Sequence, residues 1–483
     1  CGPTAAGPAA VGPHHHPRRR RCWRCRSLGR GRGREAERAA AGVPAPARAR
    51  LEALLLLAQR GGGAGEPAAA AEAAAEGPEG DDDDAEVKGR ALRAIAGLQR
   101  GLVERDTQAR LLLLAALCGE HLLLLGPPGT AKSELARRLS EVCRGRYFER
   151  LLTRFSVPEE LFGPLSMKGL EDDWYERQIE GYLPTAEVAF VDEIFKANSA
   201  ILNALLTLLN ERLFDNGGVR SRVPLVSLVA ASNEVPETAE LRALYDRFLL
   251  RCEVARVSEA GLEALLAAPP PPATGAADEA AFFTGAETSE IVARADGVAV
   301  PGAIVQLLAA LRRHLADKCE PPVVVSDRRL LKAVKLLKVS ALTNGRAAVS
   351  ESDCMLLQHA LWEKPDEQVK IYEWLVSNVE TLALDLPQIQ SLVRGLVQRA
   401  HKAAGAEAGG EARGEVLAEL EPVRELLVEE GAALGGKLET VEQDFSENIW
   451  IGEGERGAVV NAVGPKLERA LEAAHALAVD VLK

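Results

Sequence analysis

No stretch of this 483-residue chain is long and apolar enough to cross a bilayer as a helix. Runs such as LLLLAAL at 111–117 fall far short of the roughly 18 residues required. A disulfide framework is missing as well. Eight scattered cysteines lack the dense spacing of a small secreted scaffold, which points to a reducing compartment. Cys22 and Cys25 make one C-x-x-C, yet no second ligand pair follows at zinc spacing, and the arginines at 18–21 would repel a cation. The histidines at 14–16 read as compositional noise. Aromatic residues are scarce, at 4%, whereas Leu and Ala abound, which favours helix. With 47% hydrophobic and 27% charged residues, the chain has material for two to four globular units.

Acid is absent from the first 34 residues, which hold nine Arg, so the rest of the chain carries −21 against −12 for the whole. A body so acidic argues against the chain as a whole being a nucleic-acid coat. The sequence opens on Cys1 rather than Met, as expected of a start that is missing or processed. Residues 1–34, rich in Arg and Ala, read equally as a plastid or mitochondrial transit peptide and as the disordered leader of a cytoplasmic protein. Residues 61–86 are acidic and of low complexity and offer no core-forming surface, so 1–86 is set apart as a leader. From about Val87 apolar residues recur at helical spacing, through Leu92, Ile95 and Leu98. The Pro-rich stretch at 268–277 marks a linker, taken as 259–285, between an α/β domain at 87–258 and a helical domain at 286–367. Residues 368–483 read as a helical C-terminal region, broken by a Gly-rich stretch at 405–415.

The chemistry sits in GPPGTAKS, at 126–133, directly after the apolar run HLLLL. A phosphate loop needs a buried strand, a tight turn of bare backbone N–H groups, and a helix that starts at the phosphates. Residues 121–125 supply the strand. Gly126, Pro127, Pro128, Gly129, Thr130 and Ala131 supply the turn, and KSELARRL starts the helix, with Leu135 and Leu139 on one face. Lys132 would reach the β- and γ-phosphates of ATP, and the Ser133 hydroxyl would hold Mg²⁺. The phosphate-loop pattern has Gly where Ala131 stands; Ala fits if its backbone keeps φ negative.

Sixty residues on, VAFVDE gives a buried strand over 188–191 ending in Asp192, placed to hold Mg²⁺, and Glu193, placed to deprotonate the attacking water. A third apolar strand, LVSLVAAS, ends at Asn233, a neutral amide able to bond the γ-phosphate or the water. In LYDRFLLR, Arg247 and Arg251 lie at helical spacing, either as helix-surface cations or as an arginine offered to a neighbouring subunit. VVVSDRRLL opens a further helix with Ser326 as N-cap. Arg328 and Arg329 then fall in its first turn, where the helix dipole disfavours cations, so an arginine there is a candidate for the γ-phosphate.

Taken in order, LLGPPGTAKSELARRL, TRFSVPEELFGPLS, GYLPTAEVAFVDEIFKANSAILNALLTLLNER, LVAASNEVPE, ALYDRFLLR and VSDRRLLKAVKLL resemble the AAA+ ATPases of the MoxR family, most nearly its RavA (regulatory ATPase variant A) branch. The resemblance spans about residues 90–375. That family itself places Ala before the lysine. The resemblance implies a parallel-sheet α/β nucleotide domain with a helical lid. It makes residues 126–133 Walker A, Asp192 and Glu193 Walker B, and Asn233 sensor 1. Arg247 becomes the arginine finger, with Arg251 as runner-up, and Arg328 becomes sensor 2. Residues 165–184 resemble the family's insertion, and RLFDNGGVRSRVPL its hairpin, turning at Asn216-Gly217. ATP and Mg²⁺ are the implied cofactors. A self-assembled hexamer, a protein client and a von Willebrand factor A domain partner are the implied company, with no nucleic acid. The RavA branch carries a β-rich insert after its lid for a partner; 368–483 reads as helical, so that interaction is not carried over. A metal-chelatase motor subunit, an AAA+ nucleic-acid motor and a non-enzymatic nucleotide-gated scaffold are the alternatives. The nucleic-acid reading lacks basic tracts in the folded part, and the intact Glu193 opposes the scaffold.

Overall fold

Four consecutive leucines make the centre of the sheet. Strand β1 (Leu122–Leu125) is buried along its whole length, as a strand covered on both faces has to be. It pairs in parallel with β6 (Ser227–Ser232) on one side and β7 (Leu250–Glu253) on the other. β2 (Tyr147–Leu151) and β3 (Val188–Asp192) complete a five-stranded sheet in the order β2-β3-β6-β1-β7. β4 (Leu213–Asn216) and β5 (Val219–Arg222) form a separate antiparallel hairpin. The structure, a computed structural model, describes residues 81–171, 174–236, 238–267, 282–378 and 443–482. All of these lie in one of the two compact units into which the chain divides. The Arg-rich leader, Cys22 and Cys25, the low-complexity residues up to 80, the Pro-rich interruption at 268–277 and the Gly-rich 405–415 lie outside the described residues.

Helix α1 (Asp81–Gln99) starts six residues before the change of texture at Val87. α2 (Asp106–Cys118) is buried from Gln108 to Cys118, because it lies between α1, the sheet and the lid. α3 (Lys132–Val142) follows β1, α4 (Ser199–Glu211) follows β3, and α5 (Ala239–Tyr245) follows β6. His121, at the head of β1, is fully enclosed. Its Nδ1 accepts the Leu228 N–H at 3.0 Å, and its Nε2 lies 3.4 Å from the Leu209 carbonyl. Burial, with Arg212 and Lys332 nearby, pushes its pKa well down, so it is a neutral tie between β1, β6 and α4.

A helix, α6 (Glu259–Ala267), occupies the first part of the stretch read as linker. The end of that stretch is anchored as well: Phe283 is fully buried and donates its N–H to the Val142 carbonyl. The lid comprises α7 (Gly285–Ala295), α8 (Gly302–Asp317), α9 (Asp327–Thr343) and α10 (Pro365–Asn378). Ser326 caps α9 as its sequence implied, accepting the Arg329 N–H at 3.2 Å. Thr284 and Glu287 form a capping box on α7. Residues 443–452 pack on this core before α11 (Glu453–Leu482). Ile449 and Trp450 are buried there, and the Trp450 Nε1 donates to Thr343 Oγ1 at 2.8 Å.

Candidate functional site

The strand, loop and helix anticipated around GPPGTAKS are present, and the lysine lies inside its own loop. Lys132 Nζ donates to the carbonyls of Gly126 (2.6 Å) and Pro127 (2.9 Å), and Thr130 Oγ1 donates to the Pro127 carbonyl at 3.0 Å. The Lys132 side chain is buried. Desolvation lowers its pKa, while the nearby carboxylates of Asp192 and Glu193 oppose that shift. α3 begins without a side-chain cap, so its first-turn N–H groups face the loop unclaimed by a protein oxygen. An uncapped helix start beside a desolvated lysine fits a phosphate group.

The expectation that Ala131 keeps a negative φ is corrected. Its φ is +64° and its ψ +23°, in the left-handed region that costs an L-residue roughly 1–2 kcal/mol. The loop needs that turn to lead from the Gly129 bend, itself at φ +79°, into α3. Gly126 is constrained differently: a Cβ there would lie 2.2 Å from the Val254 carbonyl oxygen. The close packing of the loop against the chain leaving β7 therefore requires glycine.

Beside the loop, β3 delivers Asp192, whose Oδ1 accepts the Glu193 N–H at 2.9 Å. Glu193 also sits at positive φ (+55°), which turns its side chain out of the strand line. Asn233, just past β6, donates its Nδ2 to Glu193 Oε1 at 2.8 Å, and Lys196 Nζ lies 3.4 Å from the same oxygen. Ser133 stands in the first turn of α3. The lysine, both carboxylates and the amide thus converge at the carboxyl ends of β1, β3 and β6, which is where an open parallel sheet presents its ligand site.

Residues 90–281 match the family described as the MoxR domain in the MoxR-vWA-beta-propeller ternary systems, and residues 303–375 match an AAA lid domain. The chain belongs to the MoxR family of AAA+ ATPases. It is 41% identical over 271 residues to an uncharacterised protein of Methanocaldococcus jannaschii, covering 56% of this chain and 70% of that one. It is 28% identical over 167 residues to Chaperone MoxR1 of Mycobacterium tuberculosis, covering 34% and 43%. Protein MoxR of Paracoccus denitrificans is 32% identical over 167 residues, covering 33% and 49%. The chain therefore spans less than half the length of these two MoxR proteins.

The arginines anticipated as finger and sensor 2 stand away from the phosphate loop of this MoxR chain. Arg247 stands three residues before β7, whose first residue, Leu250, is level with Leu122 at the start of β1. The phosphate loop leaves the other end of β1, about 13 Å away along four strand residues. Arg328, exposed on the lid, donates to Asn210 Oδ1 at 2.7 Å, near the same strand-start end as His121. Its charge and Arg247 are neighbours: burial lowers the Arg247 pKa and Arg328 lowers it further, with Asp246 opposing. Arg328, expected at a γ-phosphate, thus stands away from the phosphate loop of its own chain. The runner-up Arg251 is corrected too. It is buried, donates to the carbonyls of Trp362 and Tyr245, and lies 3.7 Å over the Tyr245 ring, fastening the lid to β7.

Arg105 went unread in the sequence. Buried at the start of α2, it donates from Nε to the Thr130 carbonyl (3.1 Å) and from Nη2 to that of Ala255 (2.9 Å), clamping the MoxR phosphate loop from behind. A lone arginine in LVERDTQ carries no spacing signal for such contacts. The hairpin turn also shifts by one residue. Asn216 pairs with Val219, so Gly217-Gly218 turns. The freed Asn216 amide brackets the Arg177 backbone, accepting its N–H at 2.7 Å and donating to its carbonyl at 3.1 Å, and so docks the insertion on the hairpin.

Proposed function

We propose that this protein is an ATP-hydrolysing, ring-forming remodelling factor of the RavA-like branch, acting on protein clients. The observation that carries the reading is Glu193, held through Oε1 by Asn233 beside the Lys132 loop. With Oε1 engaged, Oε2 is the atom left to accept a proton from the attacking water. Lys132 would exchange its two loop carbonyls for phosphate oxygens, and Ser133 and Asp192 would hold the cation. When bound, Mg²⁺ would neutralise charge on the phosphates of ATP.

Arg247 and Arg328 meet at the strand-start end, with Asp246 and Asn210 as their side-chain partners among the described residues. Two adjacent cations so placed suit the triphosphate of a neighbouring subunit, which supports a ring, with six subunits as its count. Trp174 and Met167, exposed on the insertion beside the hairpin and its exposed Val219, offer an apolar surface suited to an unfolded polypeptide. The family name, with its vWA component, supports a von Willebrand factor A domain partner.

The test is a pair of substitutions. Lys132→Ala is expected to weaken nucleotide binding, and Glu193→Gln to preserve it while abolishing turnover. Parental turnover by Glu193→Gln overturns the proposal.

A further inference from the structure

At the end of the molecule opposite the phosphate loop lies a cavity of about 780 Å³, a size that suits a small-molecule ligand. α3 measures the separation. The helix starts at the phosphate loop and ends at Val142, next to Cys143 and Arg144 in the cavity wall, so roughly 16 Å of helix divides the two sites. One wall belongs to the nucleotide domain, with Arg144, Glu187, Arg212 and Arg222. The other belongs to the lid, with Lys335 of α9 and Gly285 at the start of α7.

The lining is electrostatically one-sided. Glu187 is its single carboxylate among the described residues, and Arg146 already stands 3.9 Å from it. Arg212 spends Nη2 on the carbonyls of Gly119 (2.7 Å) and Val226 (3.3 Å), whereas its Nη1 is sealed from solvent with no hydrogen-bond partner. Burial lowers the Arg212 pKa to about 10, with Glu120 opposing, and Glu120 is itself engaged by Lys332 at 2.5 Å. Lys335 and Arg222 make no ion pair among the described residues. A half-open pocket lined by Arg212, Arg222 and Lys335 against one carboxylate is stabilised by an anion of several charges.

We propose that this cavity binds a small, multiply charged, phosphate-bearing molecule, at a site separate from the ATP site. Such a ligand bridges Arg212 and Arg222 on the nucleotide domain to Lys335 on the lid. Its occupancy therefore stiffens the lid against the base of the sheet.

The probe is inorganic pyrophosphate, titrated calorimetrically into the full chain saturated with ADP and Mg²⁺. Saturable binding is expected, with at least a tenfold loss of affinity in Arg222→Gln/Lys335→Gln and unchanged ADP affinity in that variant. Both side chains are partly exposed, so the ADP measurement also reports that the variant is folded. Binding should persist in Lys132→Ala, which separates this cavity from the phosphate loop. Absence of saturable binding to the ADP-loaded protein, equal affinity in the double variant, or loss of binding in Lys132→Ala overturns the proposal.

Discussion

Asn233 donates a 2.8 Å hydrogen bond from Nδ2 to Oε1 of Glu193, across from one strand end to the next. Lys196 approaches the same oxygen at 3.4 Å. The carboxylate is thereby aimed by two donors on one oxygen, and its second oxygen is left for chemistry. Asn233→Ala should leave nucleotide affinity near the parental value and lower kcat by about 10²-fold, the lower end of what a positioned general base contributes. Steady-state kinetics with parallel nucleotide titration checks this. A large loss of affinity with kcat unchanged would place Asn233 on the nucleotide instead.

Ala131 holds a left-handed conformation that glycine adopts without strain. Replacing it relieves about 1–2 kcal/mol in the folded state and gives back about 0.4–1 kcal/mol through the freer unfolded chain. Ala131→Gly is therefore expected to raise the melting temperature of the nucleotide-free protein by a degree or two. A lower melting temperature would show that the loop is not strained at this residue.

Arg247 and Arg251 lie four residues apart and should behave oppositely. Arg251→Ala takes the donor from the buried Trp362 carbonyl and removes the cation from the Tyr245 ring, a destabilisation of roughly 1–3 kcal/mol seen as a lower melting temperature. Arg247→Ala should melt within about a degree of the parent yet hydrolyse ATP about 10³-fold more slowly, as a trans-acting arginine would. Mixing Arg247→Ala with Glu193→Gln should restore part of the turnover, because some interfaces then combine both intact residues. No rescue, together with a rate independent of protein concentration, would argue for a monomeric switch.

The returning segment before α11 is a structural strap. Arg110 on α2 donates to the Ile449 carbonyl, and the Ile449 N–H donates to Asn344 Oδ1 on the lid side at 2.9 Å. Trp450→Ala should cost about 3–5 kcal/mol, the range for emptying a buried aromatic site. Thermal melting of this variant in the full chain checks the value, and a shift below a degree would mean that the strap is not part of the core.

What the sequence alone determined is local. A run of four leucines is buried wherever it goes, GPPGTAKS bends and binds through its own backbone, and Asp192-Glu193 and Asn233 follow apolar runs that end at one edge of a parallel sheet. Each depends on neighbours within a few residues, so the order of motifs was enough to assemble the Lys132–Glu193–Asn233 cluster. The tertiary structure decided what depends on distant partners. Arg247 and Arg251 are one helical turn apart in the sequence, yet packing leaves the first beside Arg328 and seals the second under Trp362. Arg105 became a clamp only because α2 lies behind the phosphate loop. The sign of φ at Ala131 belongs to the turn that leads from Gly129 into α3, which no propensity of alanine could report. Ile449 and Trp450 read as part of a separate helical region until their carbonyl and indole met Arg110 and Thr343, more than a hundred residues earlier in the chain.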